Sequence, residues 1–430
     1  MKIAIVTLGC RTNQAEMMGL EHSLLSQGHR LVDLSDEPDL CIINTCTVTS
    51  GADHQSRQFI KRAAQGSRAV IVTGCFGELN REELERMPGE IRFVHNIEKQ
   101  NIVNQIESIT SSDTEGIALS LPSETFQGSK RSRQRSIVKV QDGCNYSCSY
   151  CAIPLARGRS RSLPLHEIIG KIIEYESMGY KEVVLTGIHL GTYGMDLSPQ
   201  KGLSHLIEEI LTRTAIPRIR LSSLEVREID ARLLDLFQDQ RLCSHLHVPL
   251  QSGDDNILKS MNRLYSSQDF LRSVDEIFSR VPDIGLGTDV IVGFPGEGEV
   301  EFGNTRRILE FLPFSYLHIF PYSPRPKTRA ALFPKQVPGN IKKERATELR
   351  ALGEEKRRRF IRRHEGKILD FIVEGGADSG WSGTTGNYIK VMLVAAEELQ
   401  PGMLVNGRIA RTEKGEAAAE VIFWREPSQL

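Results

Sequence analysis

Three cysteines stand close together near the middle of the chain, in the segment CNYSCSYC. Cys144, Cys148 and Cys151 follow a C-x3-C-x2-C spacing, so three thiolates of one loop can face a single metal centre. A cubane iron–sulfur cluster is fully ligated by four thiolates, and three leave one iron free to bind another molecule. A zinc site is the alternative, but it needs a fourth ligand nearby. His166 is the nearest downstream candidate, at an unusual distance.

A second set of cysteines is spread over the N-terminal part of the chain. Cys10, Cys46 and Cys75 each follow a short apolar run that is typical of a buried parallel strand. These predicted strands are Lys2–Leu8, Leu40–Asn44 and Ala69–Thr73. Because neighbouring parallel strands end at the same edge of a sheet, we expect the three thiols to converge on one metal site. Three incidental buried thiols are the alternative.

The chain has eight cysteines and no sign of export. It begins MKIAIVTLGC, without the features of a signal peptide, and no apolar run approaches the ~20 residues of a membrane helix. We therefore expect a cytoplasmic protein without a membrane partner, in a reducing compartment that disfavours disulfides. Cysteines in such a chain point to metal binding or catalysis. Cys41 and Cys243 lie in or beside apolar strand segments and are predicted to be structural.

The elements around both cysteine sets predict an α/β protein with three domains. In residues 1–110, strands alternate with amphipathic stretches such as Asn13–Gln27 and Ala52–Ala64, which indicates a small domain with a parallel sheet. Residues 111–135 are rich in Ser, Thr, Gln and basic residues and are predicted to form a linker.

Residues 136–340 resume the alternation of strands and helices. Six strands are predicted, fewer than the eight of a full barrel, which favours a partial (β/α)6 barrel. They are Ile137–Val140, Glu182–Leu185, Arg218–Leu221, His245–Val248, Gly287–Val292 and Tyr316–Phe320. The CNYSCSYC loop follows the first of them, and ligand sites in α/β folds lie at such carboxyl ends.

The C-terminal part of the chain changes character twice. Residues 341–365 are predicted to form a basic helical connector. Residues 366–430 contain the short strand-like segments IVEGG, YIKVMLV and MLVNGRIARTE, separated by Gly-rich turns. This pattern favours a small β-barrel.

Basic residues are concentrated in two runs, although the net charge is only −1 from 54 basic and 55 acidic residues. The runs are KRSRQR at Lys130–Arg135 and the stretch Lys342–Arg363, which contains KRRRFIRR. Local basic runs can bind nucleic-acid phosphates even when acidic surface elsewhere cancels their charge. A solvated linker and a solvated helix face are the alternative. The candidate RNA-binding residues are Arg357, Arg358, Arg359, Arg362 and Arg363.

Several segments resemble one enzyme family over nearly the whole chain. CNYSCSYC resembles the cluster motif of radical S-adenosylmethionine enzymes, and the longer GCNYSCSYCAIPLARGRSRS is similar to the form found in methylthiotransferases. TLGCRTNQAE, NTCTVTSGAD and VTGC resemble the N-terminal cluster domain of that family. GWSGTTGNYIKV is similar to its TRAM domain, a β-barrel that binds RNA.

The resemblance implies two [4Fe–4S] clusters and S-adenosyl-L-methionine as cofactors. Cys144, Cys148 and Cys151 would hold a cluster whose free iron chelates S-adenosylmethionine and generates a 5′-deoxyadenosyl radical, chemistry that belongs to the cofactor rather than to side chains. Cys10, Cys46 and Cys75 would hold a second cluster, whose open iron carries the sulfur. The implied S-adenosylmethionine-binding residues are Tyr150, Gly187, Ser223, Glu225 and Gln251, with plain loop and cap chemistry as the alternative.

Three branches of the family modify threonylcarbamoyladenosine in tRNA, isopentenyladenosine in tRNA, or an aspartate of a ribosomal protein. TLGCRTNQAE and NTCTVTSGADHQSRQ are most similar to the first branch, although Arg11-Thr12, Leu155 and GEGEVEF depart from its usual pattern. We therefore expect methylthiolation of carbon 2 of N6-threonylcarbamoyladenosine next to the tRNA anticodon. The expected electron donor is flavodoxin- or ferredoxin-like, and the sulfur source is open. A zinc-containing RNA-binding protein is the non-enzymatic alternative.

Overall fold

The computed structural model describes residues 1–111, 134–375, 380–394, 399–411 and 416–422. The chain forms two compact units. The first, called unit 1 below, comprises Met1–Ser132, Asp142–Ser160 and Ser323–Ala331; unit 2 comprises Arg133–Gln141, Arg161–Tyr322 and Leu332–Leu430. Most of the predicted linker lies outside the described residues. No helix within the described ranges is long and apolar enough to cross a membrane.

Unit 1 contains a five-stranded parallel sheet of order β2-β1-β3-β4-β5. Its strands are β1 (Lys2–Thr7), β2 (Arg30–Val32), β3 (Leu40–Thr45), β4 (Ala69–Gly74) and β5 (Ile91–Phe93). Its helices are α1 (Arg11–Ser26), α2 (Ser50–Gly66), α3 (Cys75–Leu79), α4 (Arg81–Glu85), α5 (Ile102–Ser111) and α6 (Ile153–Arg157). The three predicted strands are confirmed as β1, β3 and β4, whereas the three-residue strands β2 and β5 are too short to show a pattern.

Apolar side chains cover both faces of this sheet because alternate residues of a strand point to opposite sides. On one face Ile42 belongs to a cluster with Leu24, and on the other Cys41 belongs to a cluster with Ile60. Cys41 is fully buried, and burial raises the pKa of its thiol to about 12. Cys243 in unit 2 is buried as well. Both cysteines are thus buried, as expected for structural residues.

Unit 2 begins with the predicted partial barrel, whose six predicted strands, joined by the short β7, form two sheets of order β7-β6-β8-β9 and β10-β11-β12. Its strands are β6 (Ser136–Asp142), β7 (Arg161–Ser162), β8 (Glu182–Gly187), β9 (Arg218–Leu221), β10 (His245–His247), β11 (Gly285–Val292) and β12 (Tyr316–Pro321). Its helices are α7 (Leu165–Ser177), α8 (Leu203–Arg213), α9 (Ala231–Asp235), α10 (Asp255–Ser260), α11 (Ser267–Arg280), α12 (Glu299–Phe311) and α13 (Gly339–His364). The pairs β6·β8, β8·β9, β10·β11 and β11·β12 are parallel. The prediction of a partial parallel barrel is confirmed.

A closed five-stranded barrel of order β13-β14-β15-β17-β16 completes unit 2, as predicted. Its strands are β13 (Ile368–Glu374), β14 (Ser382–Thr385), β15 (Lys390–Val394), β16 (Leu404–Arg411) and β17 (Ala417–Ile422). Phe371 fills its core and is fully buried. A Cβ at Gly383 or Gly407 would lie 2.7 Å from the Phe371 ring, so these glycines make room for it. Phe360 of α13 packs on the same core.

A buried ionic network ties this barrel to β8 and β9. Glu182 accepts from Arg220 at 2.8 Å and from Arg218 at 3.0 Å, and all three side chains are at most 2% exposed. Arg220 also donates to the carbonyl oxygens of Thr385 at 3.0 Å and Gly386 at 2.9 Å. Burial alone would raise the pKa of Glu182, but the two guanidinium groups outweigh it and lower that pKa to about 2.

Candidate metal centre

The three N-terminal cysteines lie at one edge of the unit 1 sheet. Cys10 follows β1 and caps α1, Cys46 follows β3, and Cys75 opens α3 directly after β4. Cys46 and Cys75 are buried and Cys10 is half-buried. Burial, with a smaller contribution from the neighbouring Cys10 and Cys75 thiols, raises the pKa of Cys46 to about 11. The structure thus brings together the three thiols that the sequence predicted to converge.

The chain is shaped to leave room for these thiols. Gly9 has a φ of +89°, a conformation that L side chains rarely adopt. A Cβ at this position would lie 2.5 Å from Cys46 Sγ. Glycine is therefore required both by the backbone turn after β1 and by the sulfur beside it.

The other cysteine set lies in the loop after β6, which belongs to unit 1 from Asp142 onward. Cys144, Cys148 and Cys151 are half-buried. The loop is fixed by hydrogen bonds of its own backbone, from Cys144 N to Gly158 O at 3.0 Å and from Cys151 N to Cys148 O at 3.2 Å. Tyr150 is half-buried between the last two cysteines.

A second segment of unit 1, Ser323–Ala331, supports this loop and the sheet edge. Ala330 N donates to Ser149 O at 2.9 Å in the loop. Arg325 is buried, donates to Thr47 Oγ1 at 2.7 Å and forms an ion pair with Asp53. Since Thr47 follows Cys46 directly, this segment contacts the immediate neighbours of both cysteine sets.

Arg157 connects the two cysteine sets most directly. It ends α6, six residues after Cys151, and α6 packs against α3, which begins at Cys75. Its Nε donates to Cys75 Sγ at 3.3 Å. Its Nη2 donates to Asn13 Oδ1 at 2.5 Å. The guanidinium therefore reaches from the loop of one set to a thiol of the other.

Two carboxylates neutralise this buried guanidinium. Arg157 Nη1 lies 2.8 Å from Glu16 Oε1 and 2.9 Å from Asp142 Oδ1. Burial works against the charge of Arg157, but Glu16, Cys75 and Asp142 outweigh it and raise its pKa. Glu16 also accepts from the buried amine of Lys99 at 2.5 Å, so the network holds two cations and two anions.

The donor sets fit iron–sulfur clusters with an open iron. Each set offers three thiols, while the remaining cysteines, Cys41 and Cys243, are packed in apolar or ionic interiors. Thiolate sulfur is the ligand that Fe–S clusters take, and a structural zinc ion would require four ligands at each set. Three thiols at each site therefore match a cluster with one coordination position left open.

Four of the five predicted S-adenosylmethionine-binding residues lie in unit 2, at or after the carboxyl ends of β8, β9 and β10. Gly187 ends β8, and a Cβ there would lie 2.8 Å from Gln141 Oε1. Ser223 is exposed, and Glu225 forms an ion pair with Arg263. Gln251 has a φ of +62° and donates its N–H to Asp289 O at 2.8 Å. Their role toward a ligand stays a prediction.

The five candidate RNA-binding arginines lie in the last three turns of α13. Arg357 and Arg359 pair with acidic residues of the same helix, Glu354 and Glu355. The other three side chains are exposed and, in the parts of the chain that the structure describes, form no ion pair: Arg358, Arg362 and Arg363. Lys356 differs from its neighbours because its buried amine donates to the Leu312 carbonyl at 2.7 Å.

A polar group of another kind lies on the barrel strands of unit 2. Asp289 of β11 accepts from His247 Nε2 at 2.9 Å and lies 3.2 Å from His318 Nδ1. His247 Nδ1 also lies 3.0 Å from the Tyr316 hydroxyl. Two imidazoles and a carboxylate can bind a metal ion, but mutual hydrogen bonds already account for this arrangement.

Sequence reasoning missed the polar residues that surround the thiols. Asn13 and Glu16 stand inside TLGCRTNQAE, and Arg157 stands inside CAIPLARGRSRS. The one sequence signal for these residues is that they lie in the same motifs as the cysteines. Lys99 lies outside every motif, in a short helical segment that shows no such pattern.

Two family models match the chain. One is described as the Radical SAM superfamily and matches residues 138–309. The other is described as Uncharacterized protein family UPF0004 and matches residues 2–96. The range 138–309 contains the CNYSCSYC loop. The range 2–96 contains Cys10, Cys46 and Cys75.

Relatives of known name match over most of the chain. The threonylcarbamoyladenosine tRNA methylthiotransferase MtaB of Aquifex aeolicus is 38% identical, over 87% of this chain and 93% of its own. The protein of the same name from Bacillus subtilis is 33% identical, over 92% and 91%. The tRNA-2-methylthio-N(6)-dimethylallyladenosine synthase of Acetivibrio thermocellus is 32% identical, over 94% and 87%.

Solved structures show the same fold at low sequence identity. The radical S-adenosylmethionine methyltransferase TsrM from Kitasatospora setae, solved with cobalamin and a [4Fe–4S] cluster bound, superposes with a TM-score of 0.57. It is 14% identical, and the similarity covers 77% of each chain. At this identity the likeness concerns the fold alone.

Proposed function

The chain belongs to the family of threonylcarbamoyladenosine tRNA methylthiotransferases, and we propose that it adds a methylthio group to carbon 2 of N6-threonylcarbamoyladenosine next to the anticodon of tRNA. Two relatives of this name are 38% and 33% identical to the chain. The tRNA-2-methylthio-N(6)-dimethylallyladenosine synthase of Acetivibrio thermocellus is 32% identical to the chain. The higher identity favours threonylcarbamoyladenosine as the modified base. Analysis of the modified tRNA nucleosides decides between the two bases.

Membership of the radical S-adenosylmethionine superfamily implies S-adenosylmethionine and one [4Fe–4S] cluster. We assign that cluster to Cys144, Cys148 and Cys151, and propose a second one at Cys10, Cys46 and Cys75. When bound, these groups supply radical generation at the first site and the sulfur at the second. An external reductant is required, and we propose a flavodoxin- or ferredoxin-like donor. Action on tRNA further favours a cytoplasmic location.

The side chains of unit 1 serve to hold ligands and exclude water. Asn13 fixes the turns beside two cysteines, since its Nδ2 donates to Leu8 O at 2.8 Å and to Thr45 O at 3.0 Å. Arg157 and Glu16 fill the space beside Cys75 with paired charges. Buried, fully paired polar groups of this kind keep thiolate ligands in fixed positions.

The observation that carries the proposal is the gathering of both cysteine sets in one compact unit. The N-terminal sheet and the CNYSCSYC loop are far apart in sequence, yet they belong to unit 1 together. The contact from Arg157 Nε to Cys75 Sγ joins them at 3.3 Å. A protein with two independent structural zinc sites gives no reason for this connection.

The test is a comparison of Cys75→Ala with Cys41→Ala, both buried cysteines of the same unit. The variants are reconstituted anaerobically and incubated with dithionite, S-adenosylmethionine and tRNA that carries threonylcarbamoyladenosine. Wild-type protein should bind roughly eight irons in two cubanes. Cys75→Ala should still form 5′-deoxyadenosine but attach no methylthio group, whereas Cys41→Ala should do both.

Each outcome has a clear reading. Normal methylthiolation by Cys75→Ala would mean that Cys75 is not a ligand. A colourless wild-type protein that binds zinc instead of iron would favour the RNA-binding alternative. Methylthiolation of isopentenyladenosine or of a ribosomal protein, with threonylcarbamoyladenosine left unchanged, would move the chain to another branch.

A further inference from the structure

We propose that Arg157 is a positioning residue that sets the reduction potential of the cluster held by Cys10, Cys46 and Cys75. The inference rests on the proposed function, because it requires that second cluster. Arg157 follows the loop that carries Cys144, Cys148 and Cys151, and it donates a hydrogen bond to Cys75 of the other set.

Three neighbouring side chains hold the guanidinium of Arg157 beside the sulfur of Cys75. Its side chain is 0% exposed. Nη1 is held by Glu16 and Asp142, and Nη2 by Asn13, at distances between 2.5 and 2.9 Å. The planar fork therefore leaves Nε–H directed at Cys75 Sγ, at 3.3 Å. Five N–H donors in a rigid plane are what makes arginine suited to such a task.

A hydrogen bond to a ligand sulfur changes the energy of the two redox states unequally. Reduction by one electron adds negative charge to the cluster and its sulfurs, so a donor aimed at sulfur stabilises the reduced state more. A cationic donor forms a stronger bond than a neutral one. Arg157 should therefore hold the potential of this cluster above the value it would have with an apolar residue in its place.

The surrounding carboxylates reduce this effect but do not reverse it. Glu16 and Asp142 offset the charge of Arg157, while Lys99 offsets Glu16 in turn. The sum of the four charges is close to zero, so their distant field is weak. The direct Nε–H bond to Cys75 remains, and its effect falls on that sulfur alone.

The experiment uses a protein in which only the second cluster can form. Cys144, Cys148 and Cys151 are replaced by Ala in the full chain, which is then reconstituted anaerobically. Iron is counted, and about four per chain are expected for a single cubane. The cluster is titrated with dithionite and mediators, one electron per cluster, and its reduction is followed by electron paramagnetic resonance.

Three further substitutions in this background give the answer. Arg157→Met removes charge and donor, and should lower the ratio of reduced to oxidised cluster about tenfold at fixed potential, equivalent to about 59 mV for a one-electron couple. Arg157→Lys keeps the charge and should recover part of this loss. Arg159→Met is the matched control, because Arg159 is exposed in the same loop, and it should change nothing.

Glu16→Gln tests the same idea without touching Arg157, in case Arg157→Met fails to fold. It removes one of the negative charges that neutralise the guanidinium but keeps a hydrogen-bond acceptor. The potential should rise, opposite to the effect of Arg157→Met. An unchanged potential in a folded, iron-loaded Arg157→Met protein, or in Glu16→Gln, would overturn the proposal.

Failure of the proposed function looks different. If the triple alanine background binds no iron, Cys10, Cys46 and Cys75 do not hold a cluster, and the assignment of the second site falls. If it binds iron and Arg157→Met titrates like the background, the cluster stands and the role of Arg157 does not.

Discussion

This protein has two sites at which buried arginines are neutralised by carboxylates, one in unit 1 and one in unit 2. In unit 1, Arg157 is enclosed by carboxylates and an amide, and its remaining N–H reaches the thiol of Cys75. In unit 2, Arg218 and Arg220 share the carboxylate of Glu182, and their remaining N–H groups reach the C-terminal barrel, where Arg218 also pairs with Asp370. Each guanidinium is desolvated, and each is paired.

The two networks differ in the acceptor that takes the remaining N–H groups of the arginines. Unit 1 matches its two cations, Arg157 and Lys99, with two carboxylates. In unit 2, Arg218 and Arg220 both pair with Glu182, Arg218 pairs with Asp370 as well, and Arg220 is completed by backbone carbonyls. Main-chain acceptors fix one part of a fold against another, whereas a thiol acceptor would pass the effect of the charge to a metal that the thiol binds. The first network therefore ends on a thiol that we propose as a cluster ligand, and the second ends on the backbone of another part of the fold.

The largest effect is expected from Glu182→Gln, which removes the one carboxylate shared by Arg218 and Arg220. Breaking a buried ion pair by removing one partner costs about 3–5 kcal/mol, because the other charge stays desolvated. The free energy of unfolding, measured with urea, should fall by that amount. Iron binding at the cysteine sites should persist, since those lie in unit 1.

The control for this variant is Glu208→Gln. Glu208 forms a similar ion pair with Arg232, but both side chains are substantially exposed. Exposed pairs contribute between about 0 and 1 kcal/mol, so this change should be nearly silent. Equal losses for the two variants would show that the Glu182 network does not stabilise the fold through burial.

The pH dependence of stability offers a second, smaller test of the same network. The pKa of Glu182 is lowered from 4.5 to about 2 in the folded protein, where the arginines outweigh burial. A lowered folded pKa contributes stability that is complete above 4.5 and is lost as pH falls toward 2. The difference in unfolding free energy between wild type and Glu182→Gln should therefore be constant from pH 7 to 5 and shrink below it, by up to about 1.4 kcal/mol per pH unit. A difference that stays flat down to pH 3 would contradict the lowered pKa.

Local patterns predicted the strands and the cysteine sites because both depend on neighbours in sequence. β1, β3 and β4 are apolar runs, and each is followed within three residues by a cysteine. The topology of a parallel sheet was therefore enough to predict that these thiols lie at one edge. Arg157 could not be found in this way. Its partners Cys75 and Glu16 lie 82 and 141 residues away, and no periodicity links them.

The burial of strand β9 could not be predicted from its sequence, although the strand itself could. Its sequence RIRL alternates charged and apolar residues, a pattern typical of a strand with one face in solvent. The structure buries all four residues, because Glu182 and the C-terminal barrel cover the arginines. The strand itself was predictable, whereas the burial of its polar face depends on β8 and a domain more than 140 residues later in the chain.

The smallest effect is expected from the exposed arginines of α13, which contrast with both buried sites. Arg358, Arg362 and Arg363 are exposed, so replacing all three by Gln should leave stability within about 0.5 kcal/mol of wild type. If they contact tRNA phosphates, the slope of log K against log salt should become shallower by about 0.7–0.9 for each lost contact. Arg306→Gln is the matched control, because this exposed arginine of α12 is already paired with Glu348. Filter binding of tRNA at several salt concentrations gives both slopes. Since a counterion is released only where a phosphate is neutralised, equal slopes for the triple variant, the control and wild type would assign these three arginines to a solvated surface.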